Sequence, residues 1–186
     1  MFSWLSQLFE TFGSLFPHLR HVKATHRAVQ FAGKRVKELA PGLHWWWPIT
    51  TEILDLPVVR QTLNIATQVV TTRDGSPVAA SGVVVYEISD IMAALGRCYD
   101  HEETIGDVAL CAVVEVLQSY DLPALREALS SGDLERRLSK VSRKRLKSFG
   151  VRVVRCALTD FAPCQVFRVI GDGDSSSPSV VPLSLG

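Results

Sequence analysis

The spacing of apolar and polar positions changes period three times along the chain. Over residues 1–16 the period is that of a helix. At about 100° per residue, Phe2, Trp4, Leu5, Leu8, Phe9, Phe12, Leu15 and Phe16 fill one arc of about 160°. Ser3, Ser6, Gln7, Glu10, Thr11, Gly13 and Ser14 fill the rest. From residue 28 the pattern alternates. Residues 28–31 and 35–39 flank Gly33-Lys34 as the two arms of a hairpin. Ala40-Pro41-Gly42 then breaks the run, and Trp45, Trp46 and Trp47 follow, closed by Pro48. Short strand-like stretches at 53–56, 62–65 and 68–72 lead to the turn Arg73-Asp74-Gly75-Ser76, which delivers residues 78–88, the longest predicted strand. From Ser89 the spacing is helical again, predicting helices over 91–98, 104–120, 122–129 and 133–149. The second of these carries a broad stripe of Ile105, Val108, Ala109, Ala112, Val113, Val116 and Leu117. Gly150 stops the last helix, and residues 151–154 open a returning strand. A strand-rich first half, a helical second half and one final strand predict an α+β fold.

The N-terminal pattern calls for an interface, because a chain end is the segment least able to bury such a face in its own core. Sixteen residues interrupted by polar groups are too few for a bilayer span of about 20 apolar residues, so the predicted helix lies in the membrane plane. A secretory signal has a basic start and an unbroken apolar middle, and this segment has neither. Packing on its own domain or on a neighbouring subunit is the other placement open to it. Its polar face holds Ser, Thr, Gly and Gln instead of Lys and Arg, which favours apolar insertion over attraction to anionic lipid. A basic collar follows, with His18, Arg20, His21, Lys23, His26 and Arg27 and no acid among them. Arg20, Lys23 and Arg27 are the anionic-lipid contacts this collar offers to a cytoplasmic leaflet; a solvated linker is the alternative.

The sequence of 186 residues is 47% hydrophobic and carries a net charge of +1, enough for one sizeable core and no global nucleic-acid footprint. Cys98, Cys111, Cys156 and Cys164 show no C-x-x-C spacing and sit mostly in apolar patterns, as reduced, buried thiols do; two bridges would require an oxidising compartment.

Five blocks in order resemble the SPFH/Band 7 superfamily, which includes stomatin, prohibitin, flotillin and HflK/HflC. They are Arg27-Ala28-Val29-Gln30-Phe31 with Gly33-Lys34; Ala40-Pro41-Gly42-Leu43-His44 with its aromatic run; Asp55-Leu56 leading to Arg60-Gln61-Thr62-Leu63; Val70-Thr71-Thr72-Arg73-Asp74-Gly75; and Val83-Val84-Val85-Tyr86 before Asp90. The likeness resumes at Phe149-Gly150-Val151 and Thr159-Asp160-Phe161, so that it covers about residues 24–162. It implies a domain lying on a membrane, usually on the cytoplasmic face in bacteria, that assembles side by side and organises lipids or membrane proteins. Its partners would be membrane lipids, further copies or related SPFH subunits, and a membrane protein or protease. The family's long Ala/Glu-rich coiled coil has no counterpart in this sequence, so assembly is expected to rest on lateral domain contacts or on a partner chain.

Tryptophan favours the headgroup zone, which makes Trp45, Trp46 and Trp47 membrane candidates. Three adjacent residues cannot share one face of a strand, so a split between core and lipid is expected. Residues 133–149 form a basic amphipathic helix around Leu134, Leu138, Val141 and Leu146, open to lipid, an acidic partner or RNA, with a solvated face as the commoner outcome. No catalytic pattern emerges: His101-Glu102 lacks the second histidine of a zinc helix, and phosphate-loop, dinucleotide and serine-nucleophile signatures are missing. No metal or cofactor is expected, and no nucleic acid. The expected organisation is a membrane-surface helix and collar over 1–21, an SPFH/Band 7 domain over 22–170 and a disordered tail over 171–186. The expected role is a peripheral or monotopic membrane scaffold, with docking to regulate a membrane protease or channel as the alternative.

Overall fold

The computed structural model describes residues 17–98 and 100–165, and the backbone of two strands at 167–170 and 179–182. The predicted amphipathic helix, Phe2 to Phe16, lies outside the described residues. The described residues form two compact units: one holds those up to 61 with 87–101 and 147–152, the other those of 62–86, 102–146 and from 153 onward.

In the first unit, β1 (His18–Val22) pairs antiparallel with β4 (Gly42–Trp46), while β2 (His26–Ala32) is the centre of a sheet with β3 (Arg35–Leu39) and β5 (Thr51–Pro57). Neighbouring residues of β2 face opposite ways, and Ala28 and Val29 are both fully buried, so this sheet is covered on both sides. On the Val29 side it meets Leu56, Ile88 and helix α1 (Ile91–Arg97), with Ile91 and Ala94 in the cluster. On the Ala28 side it meets Val22, Leu39 and Ile53, and Trp46 of β4 closes the cluster. The predicted hairpin at Gly33-Lys34 forms as expected. Gly33 has φ 57, which is the requirement at the first position of a two-residue II′ turn, and among the described residues no non-glycine residue has positive φ. Asp90 caps α1 by accepting the Ala93 N–H at 3.0 Å. The carbonyl of Gly150 accepts the Ser89 and Asp90 N–H groups at 2.8 and 3.0 Å, which holds the start of α1.

In the second unit, β6 (Gln61–Thr71), β7 (Pro77–Ile88) and β8 (Val151–Pro163) form a sheet in that order. Three helices accompany it: α2 (His101–Gln118), α3 (Leu122–Ser131) and α4 (Asp133–Leu146). Six of the seven residues in the predicted stripe of α2 are buried, Val108 being the partly covered one. The Arg73–Ser76 turn is tied to the α2–α3 corner. Asp74 accepts the Leu122 N–H at 3.2 Å, and Arg73 Nε donates to Asp121 at 2.8 Å. Asp121 precedes α3 without capping it by its own side chain, and the carboxylate of Asp74 supplies that acceptor.

Five details differ from expectation. Residues 18–22 of the basic collar form a strand. The predicted runs 62–65 and 68–72 merge into a single strand that ends at Thr71, in which Ala66 and Thr67 are both exposed and shift the alternation by one. The last helix ends at Leu146 and tightens into a 3-10 turn over Lys147–Phe149 before Gly150. Of the four cysteines only Cys156 is buried and Cys111 is exposed, all four being free thiols. Strand β9 (Phe167–Ile170) also pairs with β10 (Ser179–Pro182), a Ser-Val-Val-Pro run in a stretch whose Gly, Ser and Asp content masked it.

Candidate lipid-contact site

The ribbon of β1 and β4 sorts its side chains by the period of two. Its register pairs Leu19 with Trp45 and His21 with Leu43 on one face, and His18 with Trp46 and Arg20 with His44 on the other. The second face points into the unit. Trp46 packs on the Val22, Ala28, Leu39 and Ile53 cluster, with its ring 6.3 Å from that of His18. Arg20 donates to Asp55 on β5 at 2.9 Å. The first face is uncovered: Leu19, Leu43 and Trp45 are 53%, 62% and 70% exposed.

Just beyond the ribbon in sequence, Trp47 and Ile49 are also 50% and 61% exposed. A hydrogen-bonded turn fixes their placement. The Thr51 hydroxyl donates to the Trp47 carbonyl at 2.6 Å and accepts the Trp47 N–H at 3.1 Å. The Thr50 and Thr51 N–H groups also donate to that carbonyl. Five large apolar side chains thus stand out from ordered backbone. Single exposed apolar residues are ordinary on soluble surfaces; five large ones, two of them tryptophan, on one ribbon and the turn that follows it are the pattern of an interaction site.

The predicted triad of tryptophans therefore divides: Trp46 lies inward, Trp45 and Trp47 outward. Of the predicted cations, Arg20 is held on the inner face and Arg27 pairs with Glu38 at 2.8 Å. Lys23, in the turn after β1, has no ion pair among the described residues. Leu19, Leu43 and Ile49 are additions to the predicted set. Alternation through Leu43, Trp45 and Trp47 was the available signal, obscured by Trp46 between them. His21 lies among these apolar groups on the outer face and is the only titratable side chain of the ribbon there.

The basic helix α4 spends much of its charge internally. Arg143 donates to the carbonyls of Val153 and Val154, both at 2.8 Å, Arg136 pairs with Asp133, and Arg145 with Glu115. Among the described residues no group of His, Cys, Asp and Glu is placed to hold a metal ion, and no single helix is long and apolar enough to cross a membrane.

The profile of the SPFH domain / Band 7 family matches residues 20–170. The chain is also 24% identical over 159 residues to an uncharacterized protein of Archaeoglobus fulgidus; the match covers 84% of this chain and 63% of that relative. The chain belongs to the SPFH domain / Band 7 family, whose members are generally membrane-associated, oligomeric, non-catalytic proteins with scaffolding or regulatory roles.

Proposed function

We propose that this protein is a peripheral membrane scaffold on the cytoplasmic face. It contacts lipid through the outer face of the β1–β4 ribbon and the amphipathic segment Phe2 to Phe16, and assembles laterally. The observation that carries this reading is the exposure of Leu19, Leu43 and Trp45 on the outer face of the ribbon and of Trp47 and Ile49 in the turn after it. Aromatic rings at the end of a ribbon suit the headgroup zone, where the indole N–H stays wet and the ring is shielded. Lys23, in the turn after β1 and without an ion pair among the described residues, is the collar cation that this reading assigns to a lipid phosphate.

Magnitudes argue for assembly as well. Full burial of a large apolar side chain is worth about 1.5–3 kcal/mol, so partial insertion of five already half-exposed groups yields on the order of 5 kcal/mol. That is close to the reversible binding given by one myristoyl chain, which is too weak for stable anchoring alone. A second anchor in the same chain, or several copies joined side by side, converts weak contacts into tight ones through effective concentration.

Vesicle flotation of the full chain tests this. Trp45→Ser with Trp47→Ser is expected to cut the floated fraction several-fold, and Phe9→Glu with Phe12→Glu to do the same independently. Binding that tolerates both pairs contradicts the lipid reading. Flotation only with membranes that contain resident proteins favours the regulator that docks on a membrane protease or channel.

A further inference from the structure

A second surface, independent of the lipid reading, lies in the helical unit. Helices α3 and α4 and the end of α2 enclose an open groove of about 1190 Å³. A helix with side chains is about 10 Å across and rises 1.5 Å per residue, so this space corresponds to roughly ten helical residues. Its walls differ in charge. On α4, Arg137, Lys140 and Lys144 stand at i, i+3 and i+7, one continuous stripe along the groove. The groove's carboxylates do not neutralise this stripe: Asp133 pairs with Arg136, and Glu115 with Arg145. Arg137 lies 5.1 Å over the Tyr120 ring, while Lys140 and Lys144 have no ion pair among the described residues. On the facing wall α3 presents Glu127, also without an ion pair. Between the walls the apolar lining is small, with Ala124, Ala128 and Val141 leaving room for a backbone to approach.

We infer that this groove docks an amphipathic helix of a partner protein, with acidic residues at i, i+3 or i+4 and i+7 against α4 and an apolar edge on the alanines. Helix-in-groove recognition reads that spacing. Concavity sets the partner class: a flat anionic bilayer cannot follow the groove down to the buried Ala128, and Glu127 would repel it. Glu127 also fixes the direction of roll, since the flank of the occupant facing α3 must be neutral or basic.

The test uses the full chain and a labelled, capped peptide of about fifteen residues, built from Glu, Leu, Ala and Lys with Glu in the predicted spacing. Its control is a scramble of identical composition. Fluorescence anisotropy is expected to show at least tenfold tighter binding of the patterned peptide. Lys140→Glu with Lys144→Glu should weaken it about tenfold or more, and Ala124→Trp should abolish it by filling the floor. All three positions are exposed, so unfolding temperatures should match the unmodified chain. Equal binding of the scramble, or indifference to both sets of substitutions, overturns the inference. It is also overturned if the same substitutions release the chain from anionic vesicles, or convert an oligomer to a monomer, while the patterned peptide does not bind. Those two results would assign the stripe to lipid or to a second copy.

Discussion

Three adjacent tryptophans have different surroundings, and single substitutions separate them. Trp46 packs on Val22, Ala28, Leu39 and Ile53, so Trp46→Ala opens the first unit and should cost about 2–4 kcal/mol, read as a lower urea midpoint. Trp45→Ala removes an exposed ring and should change stability by less than about 0.5 kcal/mol while weakening vesicle binding. Sequence alone predicted such a split but could not assign it, because assignment needs the phase of β4 relative to β1. Gly150 was legible as a helix stop, yet its tighter role was not. A Cβ there would stand 2.1 Å from the Asp90 carbonyl oxygen, and its φ is 72, so Gly150→Ala should destabilise by about 3 kcal/mol or more. The thiols separate in the same way. Burial raises the pKa of Cys156 above that of an ordinary thiol, whereas Cys111 is exposed. Under native conditions, alkylation followed by mass spectrometry should modify Cys111 and spare Cys156 until the protein unfolds.

At the scale of elements, the Arg73–Ser76 turn does more than join two strands. Asp74 is held below its ordinary pKa chiefly by the Thr72 hydroxyl and then by the Leu122 N–H, and Asp121 chiefly by its hydrogen bond from Arg73. Carboxylates with depressed folded-state pKa values stabilise the protein above their unfolded pKa of about 3.9 and lose that contribution as pH falls through the lower folded values. Thermal unfolding should therefore hold steady from neutral pH down to about 5 and drop below about 4. Asp74→Asn and Asp121→Asn should each make that acid slope shallower. The Asp-Gly turn and the strands around it were readable from local chemistry. Its tie to the start of α3 was not, since Asp74 and Leu122 are 48 positions apart and no periodicity links them. The β1 strand was hidden for a related reason. In His18-Leu19-Arg20-His21-Val22 three of five side chains are basic or titratable, and only pairing with β4 makes the alternation meaningful.

For the whole molecule, order of elements was legible because each block carries its own period. The division into two units was not, since the chain leaves and re-enters each of them. Family membership and the outer face of the ribbon bear on the same role from different directions, one through the 20–170 match and the other through exposed side chains. The central claim is that Trp45 and Trp47, and not Trp46, enter the headgroup zone. Quenching of tryptophan fluorescence by brominated lipids measures this directly on the full chain with Trp4→Phe as background. Vesicle binding should be accompanied by quenching that falls sharply when Trp45→Phe and Trp47→Phe are combined and changes little with Trp46→Phe. A chain that binds the vesicles with no quenching at these positions, or with quenching carried by Trp46, would contradict the account.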